Sequence, residues 1–246
     1  MYQPEKPLSS LILAAGKGTR MKSDLAKVLH PLRGRPLLDY SLDVARAVGS
    51  ERIAVVIGHQ AEDVREMFSG RGLIFVEQRQ QLGTGHAVLM ARDAFKGYEG
   101  TVLILCGDVP LLRPATVAAL FEKHRRDASA VTVMTVILEN PAHYGRVVKD
   151  EKGEVVKIVE MRDATEEEKR IGEINTGIYC ADSGFLFEAV GEISNDNAQK
   201  EYYLTDIIEI AGRKGYRAGS FVVSDPYEVM GINTPEELEL AARLLA

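Results

Sequence analysis

Short apolar runs rich in β-branched residues alternate with amphipathic stretches through the first half of this chain, and that alternation restricts the fold more than any other feature. The runs fall at 8–13, 52–57, 73–76, 102–106 and 130–138. Between them, apolar residues recur at helical spacing over 38–48, 61–68, 86–94 and 114–124. Strands apolar on both sides and separated by helices predict βαβ units. The fold class is therefore α/β, a Rossmann-like mixed, mostly parallel sheet flanked by helices. In such a sheet ligands gather at the carboxyl ends of the strands. The second half is more mixed. It predicts a two-stranded ribbon from 144–148 and 154–159 with a turn at 150–153, a strand at 174–180, helices at 184–190 and 204–213, and a late strand at 217–223. Thr234-Pro235-Glu236-Glu237 opens a last helix, with proline at its first position and a glutamate placed to close a capping box.

The first run leads straight into Leu13-Ala14-Ala15-Gly16-Lys17-Gly18-Thr19-Arg20-Met21, with Lys27 six residues further on. Such a turn exposes consecutive backbone N–H groups, and Gly16 and Gly18 admit a ligand where a Cβ would collide. From Lys17 to Arg35 the cations are Lys17, Arg20, Lys22, Lys27, Arg33 and Arg35, against the single carboxylate of Asp24. In a chain of net charge -6, that local excess predicts a polyphosphate site. The spacing of a P-loop is absent. A dinucleotide fingerprint fails at its third glycine, where Met21 stands. Lys17, Arg20 and Lys27 suit a triphosphate or a leaving pyrophosphate better than a pyrophosphate diester.

Other constellations fall around the same crevice. Gly107-Asp108-Val109-Pro110 follows the run at 102–106. A carboxylate facing a triphosphate repels it unless a cation lies between, so Mg²⁺ is the natural partner of Asp108, whose alternative role is turn formation. Gln78 and Gln81-Leu82-Gly83-Thr84-Gly85-His86-Ala87 leave a strand and open a helix. Free N–H groups there, with amide side chains, suit a base edge or a phosphate, although Thr84 can also serve as a helix N-cap. His86 reads as a packed or solvent-facing helical residue. Gly145, Glu160 and Asn175 offer a bare backbone, a carboxylate and an amide, the groups that sugar hydroxyls and an acetamido group require, and groups equally common at strand ends for other reasons. Asn233, just before the capping box, can join Asp108 on a metal or form an Asx turn, and residue physics alone favours the turn. A pI near 5.5 without a long basic face argues against nucleic acid. No apolar run reaches the length of a membrane span and the amino terminus lacks the form of a signal peptide, so a cytoplasmic location and no membrane partner are expected. Cys106 and Cys180 stand alone inside apolar segments and read as structural.

Taken together these motifs resemble a known family. The stretch from Leu13 to Met21 with Lys27, Gln81 to Ala87, Gly107 to Pro110, Tyr144-Gly145-Arg146, Ile158-Val159-Glu160, Glu173-Ile174-Asn175-Thr176-Gly177 and Glu201-Tyr202-Tyr203-Leu204-Thr205-Asp206 are similar, in order, to the uridylyltransferase domain of bifunctional N-acetylglucosamine-1-phosphate uridylyltransferase/glucosamine-1-phosphate acetyltransferase. The resemblance implies a nucleotide-diphospho-sugar transferase fold. It implies Mg²⁺-dependent transfer of UMP from UTP to N-acetylglucosamine-1-phosphate, feeding cell-wall, peptidoglycan and lipopolysaccharide synthesis. Leu13, Ala14, Ala15, Gly16, Gly18, Lys27, Gln78, Gly83 and Thr84 would hold the nucleotide, with Gln78 and the Gly83 backbone on the uracil edge. Arg20, Lys27 and Asp108 would carry catalysis, Asp108 and Asn233 the metal, and Gly107, Gly145, Glu160 and Asn175 the sugar. One nucleotidyltransferase domain over 1–246 is expected, with a nucleotide part to about 138, a sugar part over 139–233 and a terminal helix at 235–246. The alternatives are a same-fold transferase for another sugar phosphate or nucleotide, or a non-catalytic nucleotide-sugar sensor. The chain departs from the family in having Cys106 where a tyrosine is common, which removes a ring contact. The hexapeptide-repeat acetyltransferase domain is also missing. Acetyl transfer is therefore not expected, and the chain is expected to be a monomer or weak oligomer, because the family's trimer contacts lie largely in that domain.

Overall fold

The computed structural model describes residues 6–245. In chain order the elements are β1 (Leu8–Ala14), β2 (Pro31–Leu32), β3 (Arg35–Pro36), α1 (Leu37–Ala47), β4 (Ile53–Ile57), α2 (Ala61–Met67), β5 (Ile74–Glu77), α3 (Thr84–Met90), β6 (Thr101–Cys106) and α4 (Pro114–Arg126). They continue with β7 (Val131–Ile137), β8 (Arg146–Lys149), β9 (Val155–Val159), β10 (Glu173–Asp182), α5 (Ser183–Ala189), α6 (Asp206–Arg213), β11 (Ala218–Val223) and α7 (Pro235–Leu244). The main sheet runs β11-β7-β10-β6-β1-β4-β5, with the β8–β9 ribbon attached through β10. β5, β4, β1 and β6 are parallel, as is the β7–β11 pair.

Both faces of this sheet are covered, which is why its strands read as continuous apolar runs. Leu11, Val56, Val102 and Ile104 pack on one side with α3, α5 and α6. Ile12, Val55, Leu103 and Leu105 pack on the other with α1, α2 and α4. The period-two alternation of buried residues thus serves two cores at once.

The mostly parallel expectation holds, with one departure that matters for the site. β10 enters between β6 and β7 and is antiparallel to both. Ile178, Tyr179, Cys180 and Ala181 are almost wholly buried there, as an interior strand demands. Because it runs the opposite way, β10 brings its start, not its end, to the carboxyl ends of the parallel strands. Gly177 thereby arrives beside Cys106, with Asn175 two residues nearer the start of the strand. Helix α3 also begins at Thr84 and stops at Met90, followed by a 3-10 turn over Arg92–Phe95, rather than filling 86–94. The β2–β3 hairpin was not foreseen. Its Arg33 and Gly34 both have positive φ, 50° and 81°, as a two-residue type I′ turn requires. Among the described residues no helix is long and apolar enough to cross a membrane.

Candidate active site

The glycine-rich turn leaves β1 at Ala14 and becomes exposed at Gly16 and Lys17. At Gly18, φ is 62° and a Cβ would lie 2.6 Å from the Lys27 Cβ, so glycine is required there to let Lys27 cross the turn. Gly16 differs, because a Cβ on it would meet nothing within 4 Å. The expected collision is therefore with the protein's own lysine at one glycine and with no protein atom at the other. A single 3-10 turn follows, Thr19–Met21, and not the helix of a dinucleotide fold. Met21 is buried with Leu32, Leu37, Ile232 and Ala241, tying the turn to α7.

Lys27 reaches across to the carboxylate just past β6. Its Nζ pairs with Asp108 Oδ2 and also donates to Asn233 Oδ1 at 3.1 Å, while Arg20 donates to the same Asn233 oxygen at 2.9 Å. The side chains of Lys27 and Asp108 are only 15% and 18% exposed. Local backbone geometry fixes these groups. Gly107 N–H donates to Leu13 O at 2.9 Å, and Ile232 N–H donates to Asp108 O at 2.8 Å. The capping box of α7 is formed, and its Glu237 additionally accepts the Asn233 N–H at 2.6 Å. Asn233 turns its carboxamide nitrogen onto Gly231 O and its oxygen toward the cations, so the Asx turn is not adopted. Two hard oxygen donors thus converge on one position that already accommodates a positive charge, a donor set that fits Mg²⁺. Among the described residues no group of three or more His, Cys, Asp or Glu side chains gathers to hold a metal.

At the end of β5, Gln78 is 3% exposed. Its Nε2 donates to Gly83 O at 3.0 Å and lies 3.0 Å from His86 Nδ1. The loop it holds is zipped to residues 202–204. Tyr202 N–H donates to Leu82 O at 2.8 Å, Gly85 N–H to Tyr202 O at 2.7 Å, and Leu204 N–H to the Thr84 hydroxyl at 3.1 Å. Two expectations change as a result. The Gly85 N–H is committed within the protein and is not free for a ligand, and the Thr84 hydroxyl serves the 202–204 segment and is no N-cap. Gly83, with φ 110°, is required because a Cβ would sit 2.6 Å from Tyr202 O. Gln81, for which no separate role was foreseen, ties this loop to the anion turn by donating to Ala15 O at 3.1 Å.

The three sugar candidates also meet. A Cβ on Gly145 would lie 3.5 Å from both Glu160 carboxylate oxygens, and Asn175 N–H donates to Gly145 O at 2.9 Å. The Asn175 oxygen accepts from Gly177 N–H and from the Tyr179 hydroxyl, each at 2.9 Å, which leaves its NH₂ without a partner among the described residues. Burial pushes the Glu160 carboxyl up, with Asp163, Asp206 and Glu201 adding to the effect and the Thr205 hydroxyl opposing it. Burial together with Glu209 and Asp163 pushes Asp206 up to about 6. Cys106 sits at the edge of this end, its Sγ 3.5 Å from Gly177 O, and burial pushes its thiol up to about 12, so it is no nucleophile. Sequence reasoning missed Arg146. Buried without a carboxylate, it donates to the carbonyls of Ala142 and Lys169 at 3.1 and 3.3 Å and to that of Tyr144, bracing the loop that carries Gly145.

A cavity of about 870 Å³ lies at the other end of the sheet, lined by Lys6, His124, Ser129, Asp182, Tyr216 and Arg217. None of the candidate residues borders it. Its cations are spent locally, Lys6 on Asp182 and Arg217 on Glu154.

A solved structure of UDP-glucose pyrophosphorylase complexed with UDP-glucose aligns over 97% of this chain and 98% of its own, with a TM-score of 0.78 at 20% identity, which establishes the fold. On such a sheet, a basic turn after β1 set against a carboxylate after β6 defines a nucleotidyltransferase. The chain belongs to the MobA-like NTP transferase family, whose domain matches residues 10–168. Relatives named Bifunctional protein GlmU are 50% identical in Geotalea daltonii and 52% identical in Geobacter sulfurreducens, over 97% and 96% of this chain. The alignments take in 52% and 50% of those relatives, so the chain spans about half the length of the curated relatives it matches. A relative of the same name in Desulfotalea psychrophila is 44% identical, over 96% of this chain and 70% of that protein.

Proposed function

We propose that this chain transfers UMP from UTP to N-acetylglucosamine-1-phosphate, releasing pyrophosphate and forming UDP-N-acetylglucosamine. The observation that carries the reading is the meeting of Lys27, Arg20, Asp108 and Asn233, from separate segments of the chain. Identity near 50% to proteins named Bifunctional protein GlmU supports it.

A phosphate monoester dianion is already a competent nucleophile for in-line attack on the α-phosphorus, so the protein's task is alignment and charge neutralisation, with no proton abstraction. The backbone from Leu13 to Gly18 cradles the phosphates, and Lys27 and Arg20 neutralise charge on the α-phosphate and the departing pyrophosphate. Asp108 and Asn233 would hold Mg²⁺, which when bound supplies Lewis-acid polarisation of phosphate oxygens. Gln78, Gly83 and Thr84 position the base. Gly107, Gly145, Glu160 and Asn175 hold the sugar, the Asn175 NH₂ donating to an oxygen of the ligand. The test is pyrophosphate release from four nucleoside triphosphates against a panel of sugar-1-phosphates with Mg²⁺ present. UTP with N-acetylglucosamine-1-phosphate is expected to give the highest kcat/KM. A clear preference for another pair would replace this reading with a different transferase of the same fold.

A further inference from the structure

His86 and Gln78 form a bond whose direction is dictated by chemistry. The Gly83 carbonyl can only accept, so the amide group of Gln78 that faces it at 3.0 Å must be the NH₂. The second hydrogen of that NH₂ points to His86 Nδ1, also at 3.0 Å. His86 Nδ1 must then carry the lone pair, which places the ring proton on Nε2. With both amide hydrogens used, Gln78 Oε1 is left without a partner among the described residues and is fixed as an acceptor. Tyr202 supports the ring from the side, its centroid 6.3 Å from that of His86.

We infer that His86 is a positioning residue that sets nucleobase selectivity by locking the Gln78 amide with its oxygen as the free acceptor. The inference rests on the proposed reading of this end of the crevice as the base pocket. A fixed acceptor favours a ring that presents N–H at the facing position, as uracil does at N3. Cytosine in the same pose presents a lone pair there, acceptor against acceptor. His86 touches no reacting atom, and its effect falls on recognition of the base and not on the chemical step.

The experiment measures UTP and CTP binding by titration calorimetry, together with KM for UTP and for the sugar phosphate. The proteins are wild type, His86→Phe, which keeps a ring but has no acceptor, and His86→Asn, whose side-chain oxygen can stand where Nδ1 does. His86→Phe is expected to lower the UTP-over-CTP affinity ratio about tenfold, the worth of one orienting hydrogen bond. KM for UTP should rise by a similar factor with KM for the sugar phosphate little changed, and His86→Asn should recover most of the ratio. Equal effects on both substrates, an unchanged ratio, or no recovery in His86→Asn would overturn the inference. Should His86→Phe fold poorly, Gln78→Met removes the acceptor itself, and an unchanged ratio in that variant overturns the inference equally. Wild type that selects UTP but uses another sugar phosphate defeats the proposed reaction alone, and the His86→Phe ratio then decides this inference, whereas wild type that prefers CTP defeats the inference.

Discussion

Asp108 is anchored by its backbone as well as its side chain, through the bond from Ile232 N–H at 2.8 Å, and that anchor survives truncation. Asp108→Ala is therefore expected to cut turnover by at least about a hundredfold. The fold should be retained, as read by pyrophosphate release alongside circular dichroism melting. Full turnover in that variant at limiting Mg²⁺ would remove Asp108 from the reaction. Glu160 gives a second handle, since only its ionised form accepts hydrogen bonds from sugar hydroxyls with both oxygens. Its carboxyl is pushed up by burial, with Asp206 among the charges that add to the shift. KM for the sugar phosphate is expected to rise as pH falls through that raised value. In Asp206→Asn, where one like charge is gone, the rise should begin at lower pH. An identical profile in the variant would deny the coupling. Asp206 has its own signature. With its folded value near 6 and its ordinary value 3.8, the folded chain holds the extra proton between them, so this group lowers stability as pH climbs through that window.

Helix α7 does more than end the chain's secondary structure, because its capping box also grips the residue before it. Thr234 accepts from Glu237 N–H at 3.2 Å, and Glu237 accepts from both Thr234 N–H and Asn233 N–H. Thr234→Ala is expected to cost about 1 kcal/mol of stability and little activity. Glu237→Ala should cost a similar amount of stability and reduce kcat/KM several-fold more, because it also releases Asn233. Comparing melting temperature with kcat/KM in the two variants separates these effects, and parallel losses would show that the grip on Asn233 is immaterial. This helix start was legible in the sequence because proline, threonine and glutamate act within one turn. The parallel strands were legible because both their faces are buried. The position of β10 was not, since no local pattern tells a strand which neighbours it will have, and the β2–β3 hairpin is too short to show periodicity. Around the site, residue physics at Asn233 favoured an Asx turn that the structure does not adopt, whereas Asp108 was legible as a carboxylate beside glycine at a strand end. The commitment of Thr84 was not, because its partner Leu204 is 120 residues away. His86 looked like an ordinary helical histidine because no local pattern shows that the intervening loop folds its ring back onto Gln78, eight residues earlier.

Across the whole molecule, stability is tied to a buried base far from the crevice. His124 is 4% exposed in α4 and bonds Thr132 on β7 at 3.0 Å. Burial pushes its imidazole down to about 4 from 6.5, with Lys6 contributing and Asp182 opposing. As pH falls from 6.5 the unfolded chain takes up the proton first, so stability declines down to about pH 4 by on the order of 3 kcal/mol from this group. Urea midpoints at pH 7 and pH 4.5 should converge in His124→Gln relative to wild type. An undiminished acid loss in the variant would place the sensitivity elsewhere. Over part of the same range Asp206 pulls the other way, so the two are best read in separate variants. The segment from Tyr202 to Thr205 has a different reach. Its backbone closes the loop that carries Gly83, and at 3.4 Å its Thr205 hydroxyl touches Glu160 at the opposite end of the crevice. It is a party wall between two rooms. Whatever presses on one side must either move the other or be resisted by it, so a base and a sugar bound as proposed would not occupy independent compartments.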